Sequence, residues 1–421
     1  MKKFIEGKYF LYLISSVIPL LAVSIFIADL VCSALAIFFL FYVIKNKINF
    51  FYKNIFFILS LFFYLISIAS SIFSKDILYS LKSSLPFFRV IIFSLLISYI
   101  INKNNNFINI IYSIFKITFL VLIFYGLGEY IYKYYLLVEL NRLDISNIRL
   151  TLFVSDEEKL GSYLVRLFGV YVALYISQKN KSREDNYFFY AITLFISIVI
   201  LLSGERTSLF FLLMFFVLSF ILLNIRFKKK LILLILISSI LFLILMLNQN
   251  LSNRIIFDKN NQFNFSKDKI ILFTPQHTTH YLTALNMFVD KPFLGHGPKM
   301  FRKSCSDKNY EVIYDKIYKG CSLHPHNTYF QLLAETGILS AVIFSLGFLH
   351  ILYNLSKHFF VFVFYKKRIM NDYRIILSLT ALIIFWPFSP SGNFFNNWVL
   401  ILNSIPLGFY VNEFFKNKKK H

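Results

Sequence analysis

Long apolar runs recur along the whole chain, and they constrain its fold more than any other feature. The 421 residues are 57% hydrophobic and only 15% charged, whereas soluble domains carry about 25% charged residues. Each run is long enough to cross a hydrocarbon core of roughly 30 Å as a helix. The sequence therefore predicts an all-α, polytopic integral membrane protein.

Apolar length predicts about twelve transmembrane helices. One large polar loop, residues 248–325, separates the ninth helix from the tenth. The chain thus divides into residues 1–247 with nine helices, the loop, and residues 326–421 with three helices and a basic tail. The predicted spans are 9–27, 29–45, 54–73, 84–101, 108–130, 160–177, 187–203, 208–225, 231–247, 329–353, 374–390 and 395–413.

Basic residues orient these spans. The formal net charge of +23 comes mostly from short Lys/Arg clusters between apolar runs, such as 226–230 and 416–420. This placement is typical of cytoplasmic loops. Both chain ends are therefore predicted to be cytoplasmic and the 248–325 loop periplasmic. A nucleic-acid site would need a continuous basic face with exposed aromatic residues, so we expect no nucleic-acid partner.

A charged turn interrupts the apolar stretch from Tyr187 to Ile225. It contains Gly204, Glu205 and Arg206. Ionisable residues at such depth are costly and suggest function. Arg206 is the stronger candidate, because a guanidinium group can bind a diphosphate with two parallel hydrogen bonds. The alternative is an ion pair that marks a tight turn at the membrane interface.

An acidic cluster, Asp156, Glu157 and Glu158, precedes the sixth predicted span. Such carboxylates could bind a divalent cation or act as acid or base. They could equally form a solvated loop, since carboxylates at a helix N-terminus are favoured by the helix dipole. The sequence leaves both readings open.

The polar loop holds His277, His280, Lys299 and Arg302 as candidate ligands of a phosphate or glycan. The two cations follow a Gly-His-Gly-Pro turn, from which they could face a phosphate group. Neither Cys-x-x-Cys nor His-Glu-x-x-His occurs, so the loop lacks the usual zinc motifs and no metal is expected.

Two cysteines, Cys305 and Cys321, also lie in this loop. A disulfide between them is plausible in an oxidising compartment. The alternative is a pair of free thiols.

The sequence His324-Pro325-His326-Asn327 joins the loop to the tenth span. Proline restricts the backbone around it. A neutral histidine is a competent general base near neutral pH, and Asn327 could cap a helix that begins at about Tyr329. Alternatively, both histidines cap the helix or lie at the lipid interface.

Four segments together resemble the O-antigen ligase/polymerase superfamily. They are RLTLFVSDEEKLGSYL at 149–164, GERTSLF at 204–210, NMFVDKPFLGHGPKMFR at 286–302 and HPHNTYFQLLAETG at 324–337. Each motif is weak alone, but their order and spacing are fairly specific. The resemblance covers roughly residues 145–345, and the twelve-helix layout extends it to the full chain.

The resemblance implies a GT-C-like, metal-independent glycosyltransferase of the bacterial inner membrane that needs no cofactor. Its donor would be an undecaprenyl-diphosphate-linked glycan. Its acceptor would be lipid A-core for a ligase, or another lipid-linked repeat for a polymerase, in cell-surface polysaccharide biosynthesis. By position, Arg206 would hold the diphosphate and His326 would deprotonate the acceptor hydroxyl on the periplasmic face, with His324 and Asn327 in support. The alternative is a flippase or exporter of lipid-linked glycans without catalysis.

The chain departs from the family pattern at one point. A second arginine usually precedes the segment that here begins at Asn286, but His277 stands at the matching position, with His280 nearby. Either histidine, or Lys299 or Arg302, could take the place of that arginine.

Overall fold

The computed structural model describes residues 2–5, 7–48, 54–138, 149–153, 158–178, 181–224, 246, 265–266, 269–270, 273–314 and 316–414. Helices dominate these residues. In chain order they are α1 (Lys2–Ile5), α2 (Lys8–Val23), α3 (Ile25–Lys45), α4 (Ile55–Ile72), α5 (Ile77–Ser84), a 3₁₀ turn (Leu85–Phe87), α6 (Phe88–Lys103), α7 (Asn106–Val138), α8 (Leu160–Ser177), α9 (Arg183–Leu202), α10 (Arg206–Leu222), α11 (Pro275–Asp290), α12 (Phe301–Ser304), α13 (Thr328–Tyr365), α14 (Asp372–Phe385) and α15 (Asn397–Phe414).

Two short antiparallel hairpins complete the described structure. In the first, β1 (Phe265–Ser266) pairs with β2 (Lys269–Ile270). In the second, β3 (Ile313–Tyr314) pairs with β4 (Tyr318–Lys319), with Tyr314 opposite Tyr318.

Helices lie at the predicted spans, except that 231–247 falls almost wholly outside the described residues. Within the described part of the chain, seven helices are long and apolar enough to cross a membrane. Helices α2 and α10 are apolar but shorter, with 16 and 17 residues. The chain is therefore a mostly helical membrane protein, and the count of twelve spans remains a prediction.

Local capping residues determine where several helices begin. Before α9, the Ser182 hydroxyl accepts the Asp185 N–H at 3.0 Å, and the Asp185 carboxylate accepts the Ser182 N–H at 3.1 Å. Before α4, the Asn54 side chain accepts the Phe56 N–H at 3.0 Å. Such caps each stabilise a helix by about 0.5–2 kcal/mol.

Helices α3, α6 and α15 are joined by polar contacts inside an apolar bundle. Arg89 of α6 forms an ion pair with Asp29 of α3 at 2.7 Å, and the Asn397 side chain donates to the same carboxylate at 3.0 Å. The Ser94 hydroxyl donates to the Ser404 carbonyl at 3.0 Å. Because unpaired polar groups are expensive in such surroundings, these bonds fix how the three helices lie against one another.

A second, smaller apolar core organises residues 273–326 outside the bundle. Its buried members come from α11, α12, the following loop and α13: Ala284, Met287, Phe301, Cys305, Tyr310 and Ala334. The disulfide Cys305–Cys321, with a Cα–Cα distance of 5.0 Å, lies at its edge. The loop is therefore packed onto the start of α13.

A kink divides α13 at Gly337. Its backbone angles are φ 73° and ψ −175°, outside the helical region. A Cβ atom there would lie 2.1 Å from the Phe293 carbonyl oxygen, so only glycine fits. The N–H groups of His296 and Gly297 donate to the carbonyls of Ala334 and Glu335 at 3.0 and 2.7 Å. Two of the four segments that carry the family resemblance thus bind each other directly.

Candidate functional site

Four imidazole rings gather where the loop meets α13. The His326 ring lies 4.1 Å from that of His324, 5.3 Å from that of His280 and 5.7 Å from that of His277, between ring centroids. We call these residues the histidine cluster. His277 and His280 share one face of α11 because residues three apart on a helix are neighbours.

The backbone of His326 adopts the left-handed conformation, with φ 59°. Histidine is enriched there among non-glycine residues, yet such positions cost about 1–3 kcal/mol and concentrate at functional sites. The His326 carbonyl accepts the Ser391 N–H at 2.8 Å. This bond helps to hold the residue in its strained conformation.

Asn327 caps α13, as predicted. Its side-chain oxygen accepts the N–H groups of Tyr329 and Phe330 at 2.9 and 3.3 Å. Its amide nitrogen donates to the Pro387 carbonyl at 2.8 Å. Asn327 therefore both starts the helix and ties it to the α14–α15 connection.

The connection 386–396 supports the cluster, which the sequence did not suggest. The N–H of Ser391 in this connection donates to the His326 carbonyl. The Ser391 carbonyl lies 3.3 Å from Nε2 of His324, and the Ser391 hydroxyl lies 3.0 Å from the Thr328 hydroxyl.

The predicted span 374–390 was wrong at its C-terminal end: α14 stops at Phe385, and the backbone of Trp386 is extended. Trp386 precedes Pro387, and a residue before proline disfavours helical backbone. The Ser, Pro, Gly and Asn residues at 389–393 were the sequence signal for a loop.

Burial keeps the histidine cluster neutral. It lowers the pKa of His326 from 6.5 to about 3, and the neighbouring imidazoles act in the same direction. Burial also lowers the pKa of His324 to about 4; the Ser391 carbonyl opposes this shift and the Arg302 charge adds to it. The pKa values of His277 and His280 are lowered mainly by burial. At neutral pH the rings are therefore uncharged, which is the protonation state that a general base requires.

His280 is held by hydrogen bonds at both ring nitrogens. Nδ1 lies 2.9 Å from the Gly320 carbonyl, and Nε2 lies 3.2 Å from the Gln276 side-chain nitrogen. A carbonyl can only accept, so Nδ1 carries the proton and Nε2 accepts from Gln276. By contrast, His296 is buried in the small core and bonds the Met287 carbonyl at 2.9 Å.

Lys299 and Arg302 lie beside the fully buried carboxylate of Glu335, which is 0% exposed. One oxygen of Glu335 accepts the Phe301 N–H at 3.1 Å, and the other accepts from the Gln331 side chain at 2.9 Å. Burial lowers the pKa of Lys299, and the Arg302 charge lowers it further. Since Arg302 also acts on His324, these cations lie near the histidine cluster.

Arg206 begins α10, directly after Glu205. The Glu205 carboxylate accepts the N–H groups of Gly161 and Ser162 at 2.7 and 3.0 Å. It also accepts the hydroxyls of Ser162 and Ser208 at 2.5 and 2.9 Å. The turn that positions half-buried Arg206 is therefore fastened to the start of α8. The sequence drew attention to Glu205 only as an ion-pair partner.

Lys159 interacts electrostatically with both this turn and the histidine cluster. Its ammonium is 5.2 Å from the centre of the Trp398 ring. Burial lowers the pKa of Lys159, while the nearby Glu205 charge raises it. The Lys159 charge in turn lowers the pKa of His324. Lys159 is a cation of the site that the sequence did not single out.

The acidic cluster is only partly visible. Asp156 and Glu157 lie outside the described residues, and Glu158 pairs with Arg149 at 3.0 Å on the surface. Within the described ranges, no group of three or more His, Cys, Asp or Glu side chains is arranged to hold a metal ion.

A largely apolar cavity of about 640 Å³ opens between α4, α6, α13, α14 and α15. Phe394 brings its lining to the 386–396 connection. Other lining residues are mostly aromatic or aliphatic, among them Phe63, Phe87, Phe344, Leu400 and Tyr410. An apolar chain could lie there beside the polar site.

These features define a polytopic membrane protein with a polar site of neutral imidazoles and cations where a packed loop joins the helix bundle. Residues 191–345 match the family described as O-Antigen ligase. The predicted relation to the O-antigen ligase/polymerase superfamily is thereby confirmed, and it implies a glycosyltransferase-like enzyme acting on lipid-linked glycans. The matched region contains Arg206, the histidine cluster and Glu335. No curated protein matches the chain.

Proposed function

We propose that the protein transfers a glycan from an undecaprenyl-diphosphate donor to a hydroxyl group of an acceptor. The acceptor is lipid A-core for a ligase or another lipid-linked repeat for a polymerase. The reaction takes place on the periplasmic face of the bacterial inner membrane and needs no metal. The main support is a neutral His326 with a strained backbone, in a cluster where the charges of Arg302 and Lys159 act on the neighbouring His324. This cluster lies inside the region that matches the ligase family.

His326 acts as the general base. Its imidazole accepts the acceptor hydroxyl proton while the hydroxyl oxygen forms a bond to the anomeric carbon of the donor sugar. The bond between that carbon and the diphosphate breaks, and undecaprenyl diphosphate leaves with the electron pair. A positioned base contributes about 10²–10⁴-fold to such reactions. The imidazolium then releases its proton to water.

Arg206 and a second cation neutralise the departing diphosphate. Preorganised donors at a developing charge are effective because they need no reorganisation. Of the four candidates for the second cation, His277 and His280 have lowered pKa values and are uncharged at neutral pH. Lys299 and Arg302 therefore take this role. The apolar cavity beside Phe394 holds the lipid chain of the donor.

A purified preparation tests the proposal. Wild-type protein in detergent or vesicles, given a lipid-linked glycan donor and an acceptor, should form the transfer product and free undecaprenyl diphosphate. A non-catalytic flippase or exporter would move the donor across the bilayer and leave its glycosidic bond intact. The absence of product with every acceptor would refute the proposal.

A deletion strain decides between the two acceptors. If the protein is a polymerase, the strain makes a single repeat attached to lipid A-core. If it is a ligase, unattached lipid-linked polymer accumulates. Electrophoresis of the surface polysaccharide distinguishes the two outcomes.

A further inference from the structure

We propose that Glu335 is a positioning residue that fixes the Lys299–Arg302 segment relative to His326 and offsets the charge of its two cations. The inference rests on the proposed function. Neither the sequence nor the family match assigns a role to this carboxylate.

Glu335 is a carboxylate buried at a break in a helix. It is 0% exposed and lies just before the kink at Gly337. Burying a carboxylate is costly unless its oxygens are hydrogen-bonded. Its donors are the N–H groups of Phe301 and Lys299 and the Gln331 side chain. All of them are neutral groups that hold the backbone or another side chain.

One branch of these contacts fixes the cationic segment. The Phe301 N–H donates to the Glu335 carboxylate at 3.1 Å, and the Gly297 N–H donates to its backbone carbonyl at 2.7 Å. Between them, Lys299 is held in the left-handed conformation, with φ 60°. A left-handed backbone conformation persists only where surrounding contacts enforce it. The hydrogen bonds of the Glu335 carboxylate are some of those contacts.

The other branch leads to the general base. Gln331, bound to Glu335, also donates to the Asn393 side chain at 3.1 Å and accepts the Phe394 N–H at 2.9 Å. Both partners lie in the 386–396 connection, where Ser391 donates to the His326 carbonyl at 2.8 Å. Glu335 thus joins the diphosphate-binding and proton-accepting parts of the site.

Charge separates this role from simple packing. The charged groups that face Lys299 are Arg302 and Arg89, which lower its pKa, and Glu335, which raises it. Glutamine would retain the size of the side chain but remove the charge. Lys299 would then lose its proton at a lower pH, and a site with one cation fewer would bind a diphosphate more weakly.

The test compares Glu335→Gln with wild type in the purified transfer reaction, with the donor KM and kcat measured between pH 7 and 9.5. We expect the donor KM to rise about tenfold, the effect of one weakened charged contact. The alkaline rise in donor KM should also begin at a lower pH. In the background of Lys299→Gln, adding Glu335→Gln should raise the donor KM by less than the single change does.

Glu129→Gln is the matched control. Glu129 is a half-buried carboxylate on α7 that likewise accepts backbone and side-chain hydrogen bonds, from the Thr151 N–H at 3.0 Å and the Thr151 hydroxyl at 2.7 Å. It also pairs with Lys133 at 2.7 Å. The control should keep the wild-type donor KM and pH profile. The inference would be overturned if Glu335→Gln kept the wild-type donor KM and the wild-type rise of donor KM at alkaline pH. It would also be overturned if Glu129→Gln shifted both quantities as much as Glu335→Gln does.

If Glu335→Gln does not fold, Glu335→Asp decides, because it keeps the charge. The inference is supported if donor KM in that variant rises at the same alkaline pH as in wild type. It is contradicted if the rise begins at a lower pH. Wild-type protein that transfers no glycan would instead refute the proposed function, so the two failures are distinguishable.

Discussion

Two carboxylates, half-buried Glu205 and fully buried Glu335, hold the cationic parts of the candidate site, and they connect different numbers of segments. Glu205 is adjacent to Arg206 and takes its backbone hydrogen bonds from the first turn of α8. Glu335 reaches from α13 to the loop before it and, through Gln331, to the α14–α15 connection. The Arg206 side is therefore fastened to one other helix, whereas the His326 side depends on contacts among three separate segments. A substitution on the Arg206 side should therefore disturb only that turn. A substitution on the His326 side should disturb several segments.

The largest effect should come from Arg206 itself. Arg206→Gln removes the charge that would face the diphosphate, and we expect transfer to fall by about 10²–10³-fold. Arg206→Lys should recover only part of the rate, because an ammonium lacks the planar fork of a guanidinium. Steady-state transfer rates of the purified variants measure both. Arg368→Gln, which breaks a surface pair with Asp372, is the control; a normal rate in Arg206→Gln would exclude a role in catalysis.

Glu205→Gln should have the next largest effect, about tenfold on transfer. Glutamine must turn an amide nitrogen toward one of the donors that the carboxylate accepts, and a buried donor without an acceptor costs about 1–3 kcal/mol. The turn would loosen and Arg206 would lose its position. Kinetics of this variant beside Glu129→Gln measure the effect. Equal rates in the two variants would show that Glu205 does not position Arg206.

Loss of the disulfide tests the His326 side. The double variant Cys305→Ser/Cys321→Ser should unfold at a lower temperature, since such a crosslink typically stabilises a protein by about 2–4 kcal/mol. Transfer should fall severalfold, because Cys321 lies just before His324 and His326 of the histidine cluster. Thermal unfolding and transfer rates are the readouts, with Cys32→Ala as control. An unchanged rate would indicate that the cluster does not need the crosslink.

The pH dependence should show the smallest change near neutrality. Burial lowers the pKa of His326 to about 3, so the base stays neutral as pH falls through 6.5, where a free histidine is protonated. The rate should stay nearly constant from pH 7.5 to about 5. The folded state resists protonation more than the unfolded state, so its stability should decline as pH falls below about 6.5. A rate that halves near pH 6.5 would contradict the lowered pKa of His326.

Local features of this protein could be predicted from its sequence, and contacts between distant segments could not. The Asn327 cap followed from side-chain chemistry within a few residues. The break at Gly337 did not, because the glycine is required by Phe293 in another segment. Ser391 and Asn393 looked like a loop between two spans, since nothing nearby in sequence shows that they bind His326 and Gln331.

The candidate site shows the same division. Arg206 and His326 could be proposed from residue type and motif, because each stands out in an apolar chain. Glu205 and Glu335 act through backbone N–H groups, and backbone donors leave no trace in a sequence. Lys159 was hidden for a similar reason: its neighbour Trp398 lies far along the chain, in α15.

The central claim is that His326 accepts the proton of the acceptor hydroxyl. His326→Asn tests it most directly, since asparagine also tolerates the left-handed backbone and so removes the base without disturbing the turn. His358→Asn, at a buried histidine that accepts the Met370 N–H at 3.2 Å, is the matched control. With purified protein and saturating donor, we predict a fall in kcat of at least about 10²-fold for His326→Asn alone. A kcat within a factor of two of wild type would contradict the account.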